Sequence, residues 1–196
     1  GGYTFPQAEA VAYMDTAAEG LPFPGCEEAV ALYFRDKSLG TPGRDRLYEA
    51  ERETRQLAAR LMGATMEDIA LVSSASEGLN LLANSLSWTP GDEIVLSDLE
   101  FPSNVLPWLR LRERGVRVRV IRSDNGVVLP EQFTGAITTK TRLVTVSQVS
   151  YKTGAQFPFL PELAEYAHRV GAYLAVDATQ ALGRVPVSVA GVDYLV

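Results

Sequence analysis

The sequence predicts an α/β protein in which a mostly parallel sheet is covered by helices on both faces. Three observations support this prediction. From about residue 64 onward, short apolar runs of strand length alternate with helical patterns. In the stretch AYLAVD, residues 172–177, apolar residues lead directly into an aspartate, which is typical of a buried strand. Polar residues directly follow several of the runs, and ligands of such sheets bind where the strands end.

The composition narrows the class of protein. The chain has 196 residues, of which 46% are hydrophobic and 21% charged, as in a globular domain with a substantial core. A net charge of −6 without a basic cluster argues against a nucleic-acid partner. One cysteine, Cys26, and one histidine, His168, exclude an internal disulfide and make a structural zinc site implausible. With no signal peptide and no apolar run of ~20 residues, the sequence predicts a cytoplasmic protein without a membrane partner.

Two predicted helices precede the alternating region. Residues 25–40 begin with acidic side chains, and residues 45–63 form a longer amphipathic pattern with a glycine at its end. The TPGRD stretch between them, residues 41–45, predicts a turn. The chain is therefore divided into a loop-like segment, residues 1–24, the N-terminal helices, residues 25–63, and a sheet-bearing part, residues 64–196.

Strands and helices alternate through the sheet-bearing part. The predicted strands are residues 69–74, 92–98, 116–122, 142–150, 172–177 and 192–196. The predicted helices are residues 76–88, 103–115, 130–137 and 159–171. Pro107 should kink or shorten the second of these helices. Strict alternation in the third strand predicts a position near an edge of the sheet.

The end of the first predicted strand is a candidate anion site. Ser76 is expected to cap the helix that follows, and the N–H groups at a helix start attract phosphate. A plain serine-capped helix is the commoner explanation of such a pattern. The chain contains neither G-x-G-x-x-G nor G-x-x-x-x-G-K-[ST], which disfavours a nucleotide-binding domain.

Three other strand ends bring aromatic, polar and acidic side chains. Phe101 follows the second strand, where it could fill the core or serve as a platform for a flat ring. Tyr151 and Lys152 lie in a polar loop, and substrate contact and plain solvation are equal alternatives for them. Asp177 ends the fifth strand, and a buried carboxylate is costly unless it is paired. It could cap a helix or accept a hydrogen bond from a cationic ring nitrogen.

Five stretches of the chain resemble one protein family. They are YMDTAA, SSASEGLNLLANSL, GDEIVLSDLEFPSNVLPW, VSYKTGAQFP and GAYLAVDATQALGRVPVSVAGVDYLV. In this order, and over nearly the whole chain, they resemble the class V aminotransferase family of pyridoxal-phosphate (PLP) enzymes. This family includes cysteine desulfurases, selenocysteine lyases and isopenicillin N epimerase-like proteins.

The resemblance implies a fold, a cofactor and an assembly. The expected fold is the large domain of a fold-type-I PLP enzyme, with residues 64–196 as its incomplete PLP-binding domain and residues 1–24 on the substrate side. The expected cofactor is PLP, the expected substrate is an amino acid, and the expected assembly is a homodimer.

The resemblance also implies roles for individual residues. Ala75 and Ser76 match positions that hold the cofactor phosphate, and Phe101 matches the residue stacked on the pyridine ring. Asp177 matches the partner of the ring nitrogen, and Gln180 matches the residue that hydrogen-bonds the phenolic oxygen. The expected substrate-side residues are Ala17, Ala18, Tyr151 and Lys152.

The family binds PLP as a Schiff base to a lysine that follows the last strand seen here. The sequence ends at Val196, so the resemblance implies a fragment without this lysine and without the C-terminal small domain, inactive on its own. The lysines present do not match that position. Lys37 lies on an early helix, Lys140 in a turn away from the strand ends, and Lys152 on the expected substrate side.

The expected function of the complete protein is PLP-dependent chemistry on an amino acid. Transamination, β-elimination, desulfuration and epimerisation share their first stage and stay open. Phe101 favours an epimerase-like or lyase-like member, because desulfurases usually have histidine at the matching position. The alternative is a non-catalytic module of the same fold that binds PLP or another phosphate ligand reversibly.

Overall fold

The computed structural model describes Phe5 and residues 12–196. The predicted N-terminal segment, residues 1–24, therefore lies partly outside the described residues. The chain divides into two compact units, residues 1–58 and residues 59–196, and each is described by itself. No helix in the described part combines the length and the apolar character needed to cross a bilayer.

The first unit contains two helices. Helix α1 spans Cys26–Ser38, and α2 spans Thr41–Met62, so that the end of α2 belongs to the second unit. The buried Asp36 accepts a hydrogen bond from Arg46 Nε over 2.8 Å and joins the two helices.

The predicted turn at residues 41–45 is wrong, because these residues form the first turn of α2. A proline is tolerated there, since the first N–H groups of a helix have no partner within it. Gly43 is buried, and a Cβ atom at this position would overlap the carbonyl oxygen of Asp36. The proline and glycine therefore serve a close helix approach rather than a turn.

The second unit contains a five-stranded parallel sheet. The strands are β1 (Glu93–Ser97), β2 (Arg117–Ile121), β3 (Thr141–Ser147), β4 (Tyr173–Asp177) and β5 (Tyr194–Leu195). Their order is β2-β1-β3-β4-β5, and every neighbouring pair is parallel. Strand β2 lies at an edge, as its alternating sequence predicts. The predicted parallel sheet is confirmed.

Helices cover both faces of this sheet and enclose two apolar cores. The helices are α3 (Ala75–Ser85), α4 (Leu106–Arg110), α5 (Pro130–Ala136) and α6 (Leu160–Arg169). One core joins α3 and α4 to Ile94 and Leu96 of β1. The other joins α5 and α6 to Val95 of the same strand. Successive side chains of β1 thus enter opposite cores, which explains the apolar run at residues 94–96.

Two predicted elements differ from the structure. Residues 69–74 are not a strand, and Leu71 and Val72 are exposed to 53% and 42%. Among the described residues no strand pairs with this stretch, and an apolar run cannot form a ladder without a neighbour. The predicted helix at residues 103–115 is divided into a 3₁₀ turn, α4 and a second 3₁₀ turn, with Pro107 in the first turn of α4. This division confirms that Pro107 shortens the helix.

Candidate cofactor site at the carboxyl edge of the sheet

Asp177 is the last residue of β4 and lies at the carboxyl edge of the sheet. It is only 4% exposed and lies in register with Ser147, the last residue of β3. Its Oδ1 accepts a hydrogen bond from the Thr179 N–H over 3.0 Å. Within the described residues, its Oδ2 accepts none. The edge therefore presents a buried carboxylate oxygen to which a ligand could donate a hydrogen bond.

No α-helix begins at Asp177, so the alternative that it caps a helix is wrong. The residues after it form turns, in which Ala181 and Leu182 both donate to the Ala178 carbonyl oxygen over 2.8 Å. Gln180 is half-buried in this segment, three residues after Asp177. The structure thus places Asp177 and Gln180 in one compact segment at the carboxyl edge.

The start of α3 corrects the predicted helix cap. Ser74, not Ser76, is the N-cap, and its Oγ accepts from the Glu77 N–H over 3.2 Å. Glu77 Oε2 accepts from the Ser73 N–H over 2.6 Å, and this hydrogen bond lowers the pKa of Glu77. The Ser76 hydroxyl is exposed and makes no hydrogen bond within the described residues. It is therefore available to a ligand, together with the unpaired amides of the first helical turn.

Val196 links the start of α3 to the segment after Asp177. A Cβ atom on Gly78, in the first turn of α3, would lie 3.1 Å from Val196 Cγ1. The Val196 carbonyl oxygen accepts a hydrogen bond from the Ala178 N–H over 2.6 Å. Val196 therefore contacts both the start of α3, the candidate phosphate site, and the segment that follows Asp177, the candidate partner of the ring nitrogen.

Phe101 is 47% exposed, so the alternative that it fills the core is wrong. Its ring meets the ring of Tyr151 edge to face, with centroids 4.9 Å apart and an interplanar angle of 87°. Tyr151 comes from the loop after β3 and is itself 41% exposed. The structure thus brings together two residues that the sequence could only place on separate loops.

Sequence analysis missed the polar network beneath Phe101. Glu100 is 6% exposed, and its carboxylate accepts hydrogen bonds from Ser97 Oγ, Asn104 Nδ2 and Ser147 Oγ over 2.7, 2.8 and 2.6 Å. Burial raises the pKa of Glu100, as does the charge of Asp177, although these three donors act in the opposite direction. The signal available in the sequence was a glutamate directly before Phe101, shortly after the apolar run at residues 94–96.

The expected substrate-side residues are divided between the two units, Ala17 and Ala18 in the first and Tyr151 and Lys152 in the second. Ala17 and Ala18 lie in an exposed turn of the first unit. Lys152 is exposed and lies close enough to Asp98, at the end of β1, for its charge to act there. Burial raises the pKa of Asp98, but the Ser123 N–H and the charges of Arg122 and Lys152 outweigh it and lower the pKa.

Within the described residues, neither lysine of the second unit forms an ion pair or a hydrogen bond with Asp177. Lys140 precedes β3, and its carbonyl oxygen accepts from the N–H of Glu93 at the opposite edge of the sheet. Lys152 lies on the Asp98 side of the carboxyl edge. The described residues also contain no group of three or more histidine, cysteine, aspartate or glutamate side chains suited to a metal ion.

Comparison with known proteins agrees with this fold. A family model described as aminotransferase class-V matches residues 30–196, and the chain belongs to this family. It is 38% identical over 192 residues to a probable cysteine desulfurase from Methanothermobacter thermautotrophicus, which covers 93% of this chain and 47% of the relative. A cysteine desulfurase from Pectobacterium carotovorum is 32% identical, with the same shares of both chains. The chain thus spans about half the length of these curated relatives.

Solved structures share the fold over almost the whole chain. The apo cysteine desulfurase from Thermococcus onnurineus NA1 matches with a TM-score of 0.85 and 28% identity, covering 97% of this chain and 50% of that one. The cystine C-S lyase C-DES matches with a TM-score of 0.86 and 22% identity, which shows a common fold. These matches confirm the predicted fold, the parallel sheet and flanking helices of fold-type-I PLP enzymes.

Proposed function

We propose that this chain forms the cofactor-binding part of a PLP-dependent enzyme that removes sulfur from cysteine. The observation that supports the cofactor most directly is the buried Asp177 carboxylate, with one oxygen left for a ligand at the carboxyl edge. The identity to proteins named cysteine desulfurase supports the substrate. Phe101 alone would favour an epimerase-like or lyase-like member of the family. We give more weight to the 38% identity over 192 residues to a probable cysteine desulfurase, because Phe101 is a single position.

The residues at the edge fit the functional groups of PLP. Among the described residues, the Ala75 and Ser76 amides and the Ser76 hydroxyl are donors without a protein acceptor, as a phosphate requires. Asp177 can accept a hydrogen bond from a protonated ring nitrogen through its remaining oxygen. Phe101 presents an exposed ring, and Gln180 can donate to a phenolic oxygen from the segment that follows Asp177.

Each of these residues has a defined part in the proposed chemistry. PLP supplies an electron sink for bonds at the α-carbon of an amino acid. Asp177 keeps a proton on the ring nitrogen, because a buried carboxylate favours a cationic partner. Phe101 covers one face of the ring and excludes water from it, and the helix start fixes the phosphate. The chain's own residues therefore bind and orient the cofactor and set its charge.

Covalent attachment to a lysine and assembly are separate proposals. Within the described residues, neither Lys140 nor Lys152 forms an ion pair or a hydrogen bond with Asp177, so we propose that this chain by itself binds PLP without a covalent bond. We also propose a homodimer, as the family resemblance implies. Size-exclusion chromatography with light scattering tests this assembly on the intact protein that the gene encodes.

PLP binding to the purified chain is the first test, followed by its change in Asp177→Asn. We expect the wild type to bind PLP, and Asp177→Asn to bind it roughly 10- to 100-fold more weakly through the loss of a charge-assisted hydrogen bond. Asp98→Asn is the matched control, because Asp98 follows β1 at the same edge and its Oδ1 accepts from the Ser123 N–H. It should leave PLP affinity unchanged. A wild-type chain without measurable affinity for PLP would contradict the proposed cofactor.

The reaction is tested on the intact protein that the gene encodes. Its mass, its visible absorption before and after borohydride, and its release of sulfide from cysteine are measured together. Formation of alanine, with sulfide released when a thiol reductant is added, supports the desulfurase proposal, whereas sulfide with pyruvate and ammonia indicates β-elimination. PLP binding without turnover of cysteine or another amino acid supports the non-catalytic module instead.

A further inference from the structure

We propose that Glu100 is a positioning residue that sets the orientation of Phe101 as a platform for the cofactor ring. The identity of the bound ring rests on the proposed function. The orientation of Phe101 rests on the hydrogen bonds of Glu100 and Asn104 and on the contact with the Tyr151 ring. Glu100 itself is buried and need not touch a ligand. It would act through the residue that follows it in the chain.

The carboxylate of Glu100 ties three segments together. Its Oε1 accepts from Ser97 Oγ of β1 over 2.7 Å. Its Oε2 accepts from Ser147 Oγ of β3 over 2.6 Å and from Asn104 Nδ2 of the 3₁₀ turn over 2.8 Å. One side chain thus fixes the turn after β1 to the ends of two neighbouring strands.

Asn104 holds the other end of the same turn. It is fully buried, and its Oδ1 accepts from Thr145 Oγ1 over 2.7 Å and from Trp108 Nε1 over 3.1 Å. Because Oδ1 already has two donors, the amide cannot reverse, and Nδ2 must face Glu100. The backbone N–H of Asn104 also donates to the Phe101 carbonyl oxygen over 2.8 Å.

Phe101 therefore lies between two anchored residues while its own ring is half exposed. A free aromatic ring on a mobile turn would lose conformational entropy when a ligand bound to it. Anchoring the turn beforehand lowers that loss and raises the affinity for a flat ligand. The edge of Tyr151 supports the ring from the side, at a centroid distance of 4.9 Å.

Three variants separate the effect of the side-chain length of Glu100 from the effect of its charge. Glu100→Ala removes the acceptor, and Glu100→Asp keeps the charge but is too short to meet Ser97 and Asn104 together. Glu100→Gln keeps the reach, since its oxygen can face Asn104 and Ser147 while its NH₂ group donates to Ser97. The Ala and Asp variants should release Phe101, and the Gln variant should hold it. Where Glu100→Ala does not fold, Glu100→Asp gives the same comparison.

The first measurement uses the chain without cofactor. The nuclear Overhauser contact between the Phe101 and Tyr151 rings should be present in the wild type and in Glu100→Gln, and lost in Glu100→Asp and Glu100→Ala. Glu93→Ala is the matched control, because Glu93 is an equally buried glutamate at the other end of β1. It should lower stability and leave the ring contact intact. A contact that persists in Glu100→Asp or Glu100→Ala overturns the proposal.

The second measurement asks whether Glu100 acts through Phe101. The dissociation constant for PLP is measured in Glu100→Ala, Phe101→Leu and the double variant. We expect Glu100→Ala to weaken binding roughly tenfold, and the double variant to bind no more weakly than Phe101→Leu, because coupled residues are not additive. Additive losses overturn the proposal. A wild-type chain that does not bind PLP counts against the proposed function, while the ring contact still decides the role of Glu100.

Discussion

Phe101 and Tyr151 form an edge-to-face pair that joins the turn after β1 to the loop after β3. The centroids lie 4.9 Å apart, and both rings remain more than 40% exposed. Pairs of this geometry contribute about 0.5–1.5 kcal/mol beyond their buried area. An exposed aromatic pair at the carboxyl edge of a parallel sheet is suited to hold a flat ligand, because the two rings fix each other before the ligand arrives.

Replacing Tyr151 tests this pair. Tyr151→Ala should weaken PLP binding by a factor of roughly 2 to 10, which corresponds to the loss of one aromatic contact. Tyr151→Phe keeps the ring and should leave the affinity unchanged. A titration of PLP absorbance measures both. If Tyr151 instead contacts the substrate through its hydroxyl, Tyr151→Phe will raise the KM for cysteine in the intact protein without affecting the affinity for PLP.

The two serines at the start of α3 should have separate effects. Ser74→Ala removes the N-cap and should lower the free energy of unfolding by about 1 kcal/mol, as measured by urea denaturation. Ser76→Ala removes an exposed hydroxyl and should leave stability unchanged while weakening the binding of PLP and of inorganic phosphate. Equal stability losses in both variants would contradict the assignment of Ser74 as the cap.

Glu93 is the buried charge that stabilises the amino edge of the sheet. Its carboxylate lies 2.9 Å from Arg119 Nε and accepts a hydrogen bond from Arg119 Nη2 over 3.0 Å. It also lies 3.1 Å from Arg117 Nη2 and accepts a hydrogen bond from Thr138 Oγ1 over 2.8 Å. Glu93→Gln turns an NH₂ group toward one of these donors and should lower the free energy of unfolding by about 2 kcal/mol, because the arginines are half exposed and screened. Glu49→Gln, in the exposed pair with Arg52, is the control and should leave the free energy of unfolding almost unchanged, because solvent screens an exposed ion pair.

The effect of Glu93 should depend on pH. Burial raises its pKa, but the hydrogen bonds from Arg119 and Thr138 and the two arginine charges prevail and hold the pKa below its ordinary value of 4.5. The ionised carboxylate is therefore favoured more in the folded than in the unfolded chain. The contribution of ionised Glu93 to the free energy of unfolding should be complete above pH 4.5, the ordinary pKa of the unfolded chain. It should disappear as the pH falls through the lower pKa of Glu93 in the folded chain. A stability difference from Glu93→Gln that stays constant to pH 3 would contradict this account.

Gly43 should be intolerant of a side chain. Gly43→Ala places a Cβ atom against the Asp36 carbonyl oxygen and must separate α1 from α2, at a cost of roughly 1–3 kcal/mol. Gly135→Ala, within α5 and with open space around the glycine, is the matched control and should stabilise the chain by about 0.5–1 kcal/mol. Thermal unfolding followed by circular dichroism measures both variants.

Much of the fold could be predicted because local patterns and burial agree in the sheet. The runs at residues 94–96 and 174–176 are apolar without a break and are buried on both faces of the sheet. The prediction failed where a partner elsewhere in the chain decides the structure. Leu71 and Val72 have the composition of a strand, but no described strand pairs with them. The TPGRD stretch has the composition of a turn, but it begins a helix because Gly43 permits close contact with Asp36.

The sequence by itself determined most of the succession of strands and helices along the chain, the parallel class of the sheet and the residues at its strand ends. Local periodicity and side-chain type predict these features, because each depends on residues that are close in the chain. The same local patterns were enough to identify Asp177, Ser76 and Phe101 as candidate site residues. Only the tertiary structure decided that Ser74 rather than Ser76 caps α3, that Tyr151 packs on Phe101, and that Glu100 joins β1 to β3. Glu100 and Ser147 are 47 residues apart in the chain. A hydrogen bond between such residues depends on strand order and register, which no local pattern contains.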